Sequence, residues 1–488
     1  MKPSQKSKEK MATSGRLPGL YIPPSPHVDQ IPDNKLFALS TVDGRDRRLT
    51  KSIAPYFSEF ATFATRAEIS GKYLIALDKM GGVLPRALTQ EETETLDTFG
   101  EKMTEADVEE VKAFERKTNH DVVALRLHMK KKFSTSSLAD LSEFNDIFLT
   151  SDDKNNLTFR LNLMRATHAV ILPILNNLES NLGGVRQEHA ETVEEARTHG
   201  QAAGPTTAGK EFGVFHERLR KQVKKLAEQR LTGKLNGAVG NWSSMRYVHP
   251  EKDWINFSRD FVESLGLTPN DMTTQINPYD DVAEYLQNYT RINNILVGLD
   301  DDMWHYISDN WIVQIPKAGE AGSSAMPQKV NPIDFEKSEG NLEEATDLME
   351  GFARRLPRSR FQRDLRDSTQ IRNVGLALGL ATVGYASILE GFPKTAINAS
   401  VMKDVLNSDW TILSEPVQVY LRRFTDVADP YELMKQLVRG NHMGQEQWHE
   451  LIDNLPVSKD HKDHLKKLTP ETYLGYAVEL AKGVSKKI

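Results

Sequence analysis

A chain of 488 residues, 39% hydrophobic and 27% charged, has the balance of a globular protein and the length to bury a large core without covalent staples. Its 62 Lys and Arg stand against 68 Asp and Glu, a net charge of −6 that provides no basic stripe for nucleic acid but leaves room for a local basic pocket around an anionic substrate. The absence of cysteine excludes disulfides, thiolate metal sites and a cysteine nucleophile, and fits a reducing, cytoplasmic setting.

In chain order, residues 1–35 read as a flexible extension, lysine-rich and then broken by Pro23, Pro24, Pro26 and Pro32, with no apolar run of the kind a secretory signal needs. From there the pattern is helix after helix. One helix begins near Leu157 and runs past Pro173, where the missing backbone donor predicts a kink. A second covers Gly209–Leu231, with Phe212, Phe215, Leu219, Val223 and Leu226 on one stripe. A third covers Asp281–Ser308, where apolar residues from Val282 to Ile307 recur at three- and four-residue steps over roughly 40 Å. The fourth, Val374–Leu389, carries no charge. It is shorter than the roughly 20 residues that cross a bilayer, so it reads as a core helix that wants neighbours on every face and favours an oligomer. Gly375, Gly379 and Gly384 on it permit close helix approach. Alternating strand patterns are scarce, and the expected fold is all-α. The expected division is an extension (1–35), an N-terminal helical domain (36–139), a central long-helix domain (140–392) and a C-terminal helical domain (393–488). Three polar, glycine-bearing connections join the long helices, at Arg197–Thr207, Lys234–Asn241 and Ala318–Pro332. Such loops tend to carry function on a rigid scaffold.

The third connection holds Gly322-Ser323-Ser324-Ala325-Met326-Pro327-Gln328-Lys329-Val330-Asn331-Pro332. Glycine, two hydroxyls, a lysine and an amide make a donor-rich loop suited to a carboxylate or phosphate. An arbitrary loop of this composition would be a plain polar linker. The first connection places His199 between small and polar residues, suitable for proton transfer near neutral pH. Thr118-Asn119-His120-Asp121-Val122 reads equally as a helix N-cap or as part of a site. Thr150-Ser151-Asp152-Asp153 reads as a helix start whose orphan N–H groups attract anions. The stretch Ser359–Asn373 (SRFQRDLRDSTQIRN) is rich in arginine, which supplies the forked donors a phosphate needs, though it would also suit a solvated face.

These segments carry a resemblance. Residues 322–332 match the GSSxMPxKxNP signature of the fumarase/aspartase superfamily at every fixed position. RTHGQAAGPTTAGKE, TNHDV, TSDDKNNL, TTQI and SRFQRDLRDSTQIRN resemble the RTHGQPATPTTxGKE, TNHDV, TSEDINNL, TTQI and SRWQRDLTDSTVLRN segments of the adenylosuccinate lyases. The resemblance spans about 37–482 and is closest to the longer, bacterial-type enzymes. It implies a three-domain, all-α fold, with a central long-helix bundle forming the core of a homotetramer whose active sites are shared between subunits. It implies elimination of fumarate from adenylosuccinate, giving AMP, and from the succinyl-aminoimidazole carboxamide ribotide (SAICAR), with no metal, cofactor, nucleic acid or membrane. Ser323 would be the general base and His199 the general acid, with Lys329 stabilising the serine alkoxide and His120 supporting charge. Asn119, Asp121, Thr150, Ser151, Gln275, Ser324, Val330 and Asn331 would contact substrate, and Arg45, Arg363, Ser368, Thr369 and Arg372 would reach its phosphate and sugar. Ala202, Gly204, Asp46 and Lys337 depart from the family pattern. Asp46 stands where a phosphate-side tyrosine is usual and is expected to point away or to be offset by Arg47 and Arg48. Sister lyases acting on argininosuccinate, aspartate or malate share the signature loop, and a catalytically silent helical scaffold is the reading from a different class.

Overall fold

The computed structural model describes residues 36, 38–316, 319 and 325–483. The described residues divide into two units, one up to Arg48 and one from Leu49 onward. In the first, the Gly44 and Asp46 N–H groups donate to the Ser40 and Thr41 carbonyls at 2.9 and 2.8 Å, and Arg47 pairs with Asp43 at 3.5 Å. Arg45 is exposed and Asp46 is buried.

In the second unit a single helical turn at Ala54–Phe57 leads into α1 (Glu59–Met80), α2 (Gln90–Asp97), α3 (Glu105–Thr118) and α4 (Asp121–Ser134). They close over a cluster that includes Phe63, Leu74, Leu96, Leu125 and Phe133. The starts of the first three are written locally. Ser58, Thr89 and Thr104 accept from N–H groups in the first turn, and Glu92 and Asp107 complete capping boxes.

The helix expected across Pro173 is two helices, α5 (Ser151–Ala166) and α6 (Leu172–Glu188), joined by a π turn at Thr167–Ile171. Proline at the second position of α6 has no N–H to give. The widened turn absorbs that loss, with the Leu172 N–H reaching back to the Thr167 carbonyl. The Thr167 hydroxyl is spent as well, on the Leu163 carbonyl and on Tyr289, both within 2.8 Å.

The segment Arg197–Thr207, expected as a loop, belongs instead to an antiparallel hairpin of β1 (Val193–Thr198) and β2 (Gln201–Thr207). Its two-residue turn is His199-Gly200, with φ of 54° and 71°. Both values are positive, as in the primed turns whose twist matches paired strands. Neither flank alternates apolar and polar residues, which hid the strands from pattern reading. Two shorter strand pairs complete the β structure among the described residues.

After α7 (Ala208–Glu228) and α8 (Trp254–Ser264) come the long helices α9 (Asp280–Ser308) and α10 (Ile333–Arg355), then the short α11 (Arg366–Ile371) and α12 (Val374–Gly391). α10 lies between α9 and α12 and packs along both. Asn293 of α9 ties the three together: its amide donates to Thr346 Oγ1 of α10 at 3.1 Å and its oxygen accepts from Tyr385 of α12 at 2.5 Å. The helices α13 (Ala399–Ser408), α14 (Ser414–Phe424), α15 (Pro430–Val438) and α16 (Gln445–Asp453) follow, around Trp410, Leu421, Met434 and Trp448.

The uncharged helix corrects one expectation. Fourteen of the 18 residues of α12 are buried within this one chain, so its composition makes no demand for neighbouring subunits. The helical stretch 366–394 is long and apolar enough by composition to cross a membrane, yet 78% of its apolar window is buried inside the protein. Close approach is real at Gly384, where a Cβ would lie 2.5 Å from Leu342 Cγ. Gly384→Ala is therefore expected to overpack the α10–α12 contact and to lower stability by about 1–3 kcal/mol, read as a lower denaturation midpoint with unchanged slope.

Candidate active site

The site is built on helix starts. Asn119 ends α3 in the left-handed conformation, with φ 52°, and His120 then caps α4, its Nδ1 accepting the Val123 N–H at 3.4 Å. The tight turn sets Asn119, His120 and Asp121 side by side. The first turn of α5 faces them, with Ser151 Oγ 3.4 Å from His120 Nε2. The capping reading of the NHD segment holds at His120, and the cap leaves its ring beside the first turn of α5.

α5 is held at its start by Asp153, whose side chain is fully buried. One carboxylate oxygen accepts the Thr150 N–H at 2.8 Å. The other accepts the Asn236 and Gly237 N–H groups at 3.1 and 3.3 Å and pairs with the equally buried Lys234 at 3.1 Å. From that anchor a chain of bonds runs through the remaining segments. The Asn236 amide donates to Thr273 Oγ1 at 2.7 Å, Thr274 donates to the Gln362 carbonyl at 2.9 Å, and Arg363 Nη1 reaches Gln275 Oε1 at 3.5 Å.

These segments enclose a cavity of about 840 Å³ lined by Asn119, His120, Asp121, Thr150, Ser151, Gln275, Arg363, Ser368, Thr369 and Arg372, together with Glu115, Asn155, Leu365 and Asn373. All the expected contacts from the TNHDV, TSDDKNNL, TTQI and SRFQRDLRDSTQIRN segments meet here. Asp121 organises the charge. It accepts from Arg372 at 2.7 Å and pairs with Arg66 at 2.9 Å. Burial alone would raise its pKa, but the two guanidinium groups outweigh burial and hold it at about 2. Two arginines, several hydroxyls and amides around one open volume suit a ligand that is anionic at one end and polar throughout.

Other expected residues are elsewhere. His199 is exposed at the hairpin tip. Below it Arg197 pairs with Asp309 and stacks 4.6 Å over Trp311, while burial and the nearby Glu211 push Glu194 up to about 8. Lys329 is exposed, and the Val330 carbonyl accepts from Gln314 at 2.7 Å. Neither these nor Asn331 nor the half-buried Lys337 lines the cavity. Ser323 and Ser324 lie outside the described residues, and Arg45 belongs to the first unit. Among the described residues no group of three or more His, Asp or Glu side chains is placed to hold a metal ion.

Residues 53–345 match the lyase family and residues 359–474 match the family described as adenylosuccinate lyase C-terminal. The adenylosuccinate lyase of Haemophilus influenzae is 40% identical over 453 residues, covering 92% of this chain and 99% of that protein. That of Escherichia coli is 38% identical over 450 residues, covering 92% and 98%. The chain belongs to the adenylosuccinate lyase family. The wider fold agrees: a fumarate lyase from Mesorhizobium sp. BNC1 superposes with a TM-score of 0.71 at 15% identity, covering 89% of this chain and 96% of that one. A β-carboxy-cis,cis-muconate cycloisomerase from Acinetobacter calcoaceticus gives 0.68 at 14% identity, covering 88% and 96%.

Within this adenylosuccinate lyase family member, sequence reasoning missed Arg66, Asp153, Lys234 and Asn236, which brace the site from outside the cavity lining. Arg66 left a signal, a charge on the otherwise apolar stripe of α1 that also carries Phe63, Ala67 and Leu74. Removing the charge of Asp121 strands two guanidinium groups, one of them buried. Asp121→Asn should destabilise by about 3–5 kcal/mol at neutral pH. Because the native pKa lies below the ~3.9 of an unfolded aspartate, this stabilisation is complete above that value and is lost as pH falls toward 2. Acid titration should show the wild-type advantage shrinking over that window; a constant gap would contradict the assignment.

Proposed function

We propose that this chain eliminates fumarate from adenylosuccinate, leaving AMP, and from SAICAR by the same chemistry, as a soluble cytoplasmic enzyme. The observation that carries this reading is the convergence of four separated segments, each resembling an adenylosuccinate lyase motif, on one cavity lined by arginines and hydroxyls. Arg363, Ser368, Thr369 and Arg372 take the phosphate and sugar, while Thr150 and Ser151 take a succinyl carboxylate at the start of α5. Asn119, Asp121, Gln275, Ser324, Val330 and Asn331 complete the contacts.

The Ser323 alkoxide, stabilised by Lys329 and loop N–H groups, removes the proton on the carbon next to the C–N bond. The electron pair is held as a carbanion delocalised into the adjacent carboxylate, with His120 supporting charge. It then forms the fumarate double bond as the C–N pair leaves with the purine nitrogen, which receives its proton from His199. The position of His199 on an exposed hairpin, away from the cavity of its own chain, supports a homotetramer in which subunits lend residues to one another's sites.

Incubation with adenylosuccinate should yield AMP and fumarate in equal amounts, while argininosuccinate, aspartate and malate remain unchanged; turnover of one of those instead would transfer the assignment to a sister lyase. Ser323→Ala should lower kcat by at least about a thousandfold with substrate still bound. Mixed tetramers of Ser323→Ala and His199→Ala subunits should regain part of the wild-type rate, and none would be regained if each chain forms its site alone.

A further inference from the structure

We propose that Asp152 is a positioning residue whose buried carboxylate orients the Arg363 guanidinium that faces the cavity, and so sets how tightly the anionic substrate is held. This rests on the reading of Arg363 as a substrate contact.

Asp152 is the second residue of α5, between Ser151, which lines the cavity, and Asp153, which anchors the helix. Its residue is 2% exposed, and its Oδ2 is buried without a hydrogen-bond partner. Its Oδ1 lies 3.7 Å from Arg363 Nη1, an attraction across a gap too wide for a hydrogen bond. The same Nη1 reaches Gln275 at 3.5 Å. Arg363 is thus held from behind by two long tethers, with donors left for a ligand.

The other charges around Asp152 are committed elsewhere. Lys234 pairs with Asp153, and Arg160 of α5 bonds Asp281 at 3.0 and 2.9 Å. Tyr279, just before α9, donates to Asp367 of α11 at 3.0 Å. Asp153 and Asp367 repel Asp152, while Arg363 and, after it, Lys234 attract it; of the two, Lys234 is already bonded to Asp153. Burial exceeds that attraction and pushes Asp152 up to about 6. The tether is therefore charged at neutral pH and neutral in mild acid, where Arg363 loses its orientation. One more methylene, as in Asp152→Glu, brings the carboxylate within bonding reach of Nη1.

Steady-state kinetics of the full-length enzyme between roughly pH 5 and 8, with equilibrium binding of AMP, test this. Asp152→Asn should raise KM roughly tenfold, the effect of about one lost charge-assisted contact, with kcat within about twofold. Wild type should show a rise in KM below about pH 6, and Asp152→Asn should flatten it. Asp152→Glu should restore KM and move that rise to lower pH. In an Arg363→Gln background, Asp152→Asn should add nothing. An unchanged KM and pH profile in Asp152→Asn, or independent effects of the two substitutions, would overturn the proposal. If Asp152→Asn does not fold, the direction of the Asp152→Glu shift decides. If wild type fails to cleave adenylosuccinate, the functional reading falls, while AMP affinity across the same variants still reports on the tether; failure to bind AMP as well removes both.

Discussion

The site depends on one buried carboxylate. Asp153 and Lys234 are both sealed from solvent, an arrangement whose desolvation penalty is offset by their pairing and by backbone donors to both carboxylate oxygens. Three backbone N–H groups and an ammonium converge on Asp153, and they come from two segments some eighty residues apart. The geometry of the α5 start follows from this, as does the path of the 234–237 loop and, through Asn236, the placement of the 273–275 segment. Loosening that carboxylate would move both walls of the cavity at once.

The apolar bundle answers a different need. α9, α10 and α12 supply stiffness, with a polar clamp at Asn293 joining all three. Their ends and connections then project polar groups at defined distances. The division explains why few site residues lie within the long helices. A helix interior has already spent its N–H and C=O groups, whereas a helix start has unspent N–H groups and a local positive potential for an anion. His120 and Thr150 each serve as helix start and cavity wall for this reason.

Charge within the cavity is balanced without being cancelled. Asp121 sits between Arg66 and Arg372 and fixes both, so the arginine that faces the open volume is oriented before any ligand arrives. Such preorganisation reduces the reorganisation that binding requires. The hairpin bearing His199 follows the same logic, because Arg197, bound to Asp309 and laid over Trp311, braces it close to the turn while the tip stays exposed.

What the sequence determined by itself was local or strongly patterned. The helices at Ala208–Glu228, Asp280–Ser308 and Val374–Gly391 lie within a few residues of where the sequence pattern put them, and the disturbance at Pro173 appears as a π turn just ahead of it, whereas α1 and α10 were not singled out. The motif segments were recognisable because their residue types and spacing are specific. Only the tertiary structure decided which segments meet. Asp121 and Arg372 are 251 positions apart, and nothing near either predicts the pairing or the buried Arg66 beside it. The hairpin was hidden because its strands lack the alternation that burial of one face imposes. The self-sufficiency of α12 was hidden because composition reveals a need for neighbours but not which chain supplies them. Helix period and capping arise from contacts within four residues, which a sequence contains. Partner choice among charges is set by burial and long-range packing, which exist only once the chain has closed.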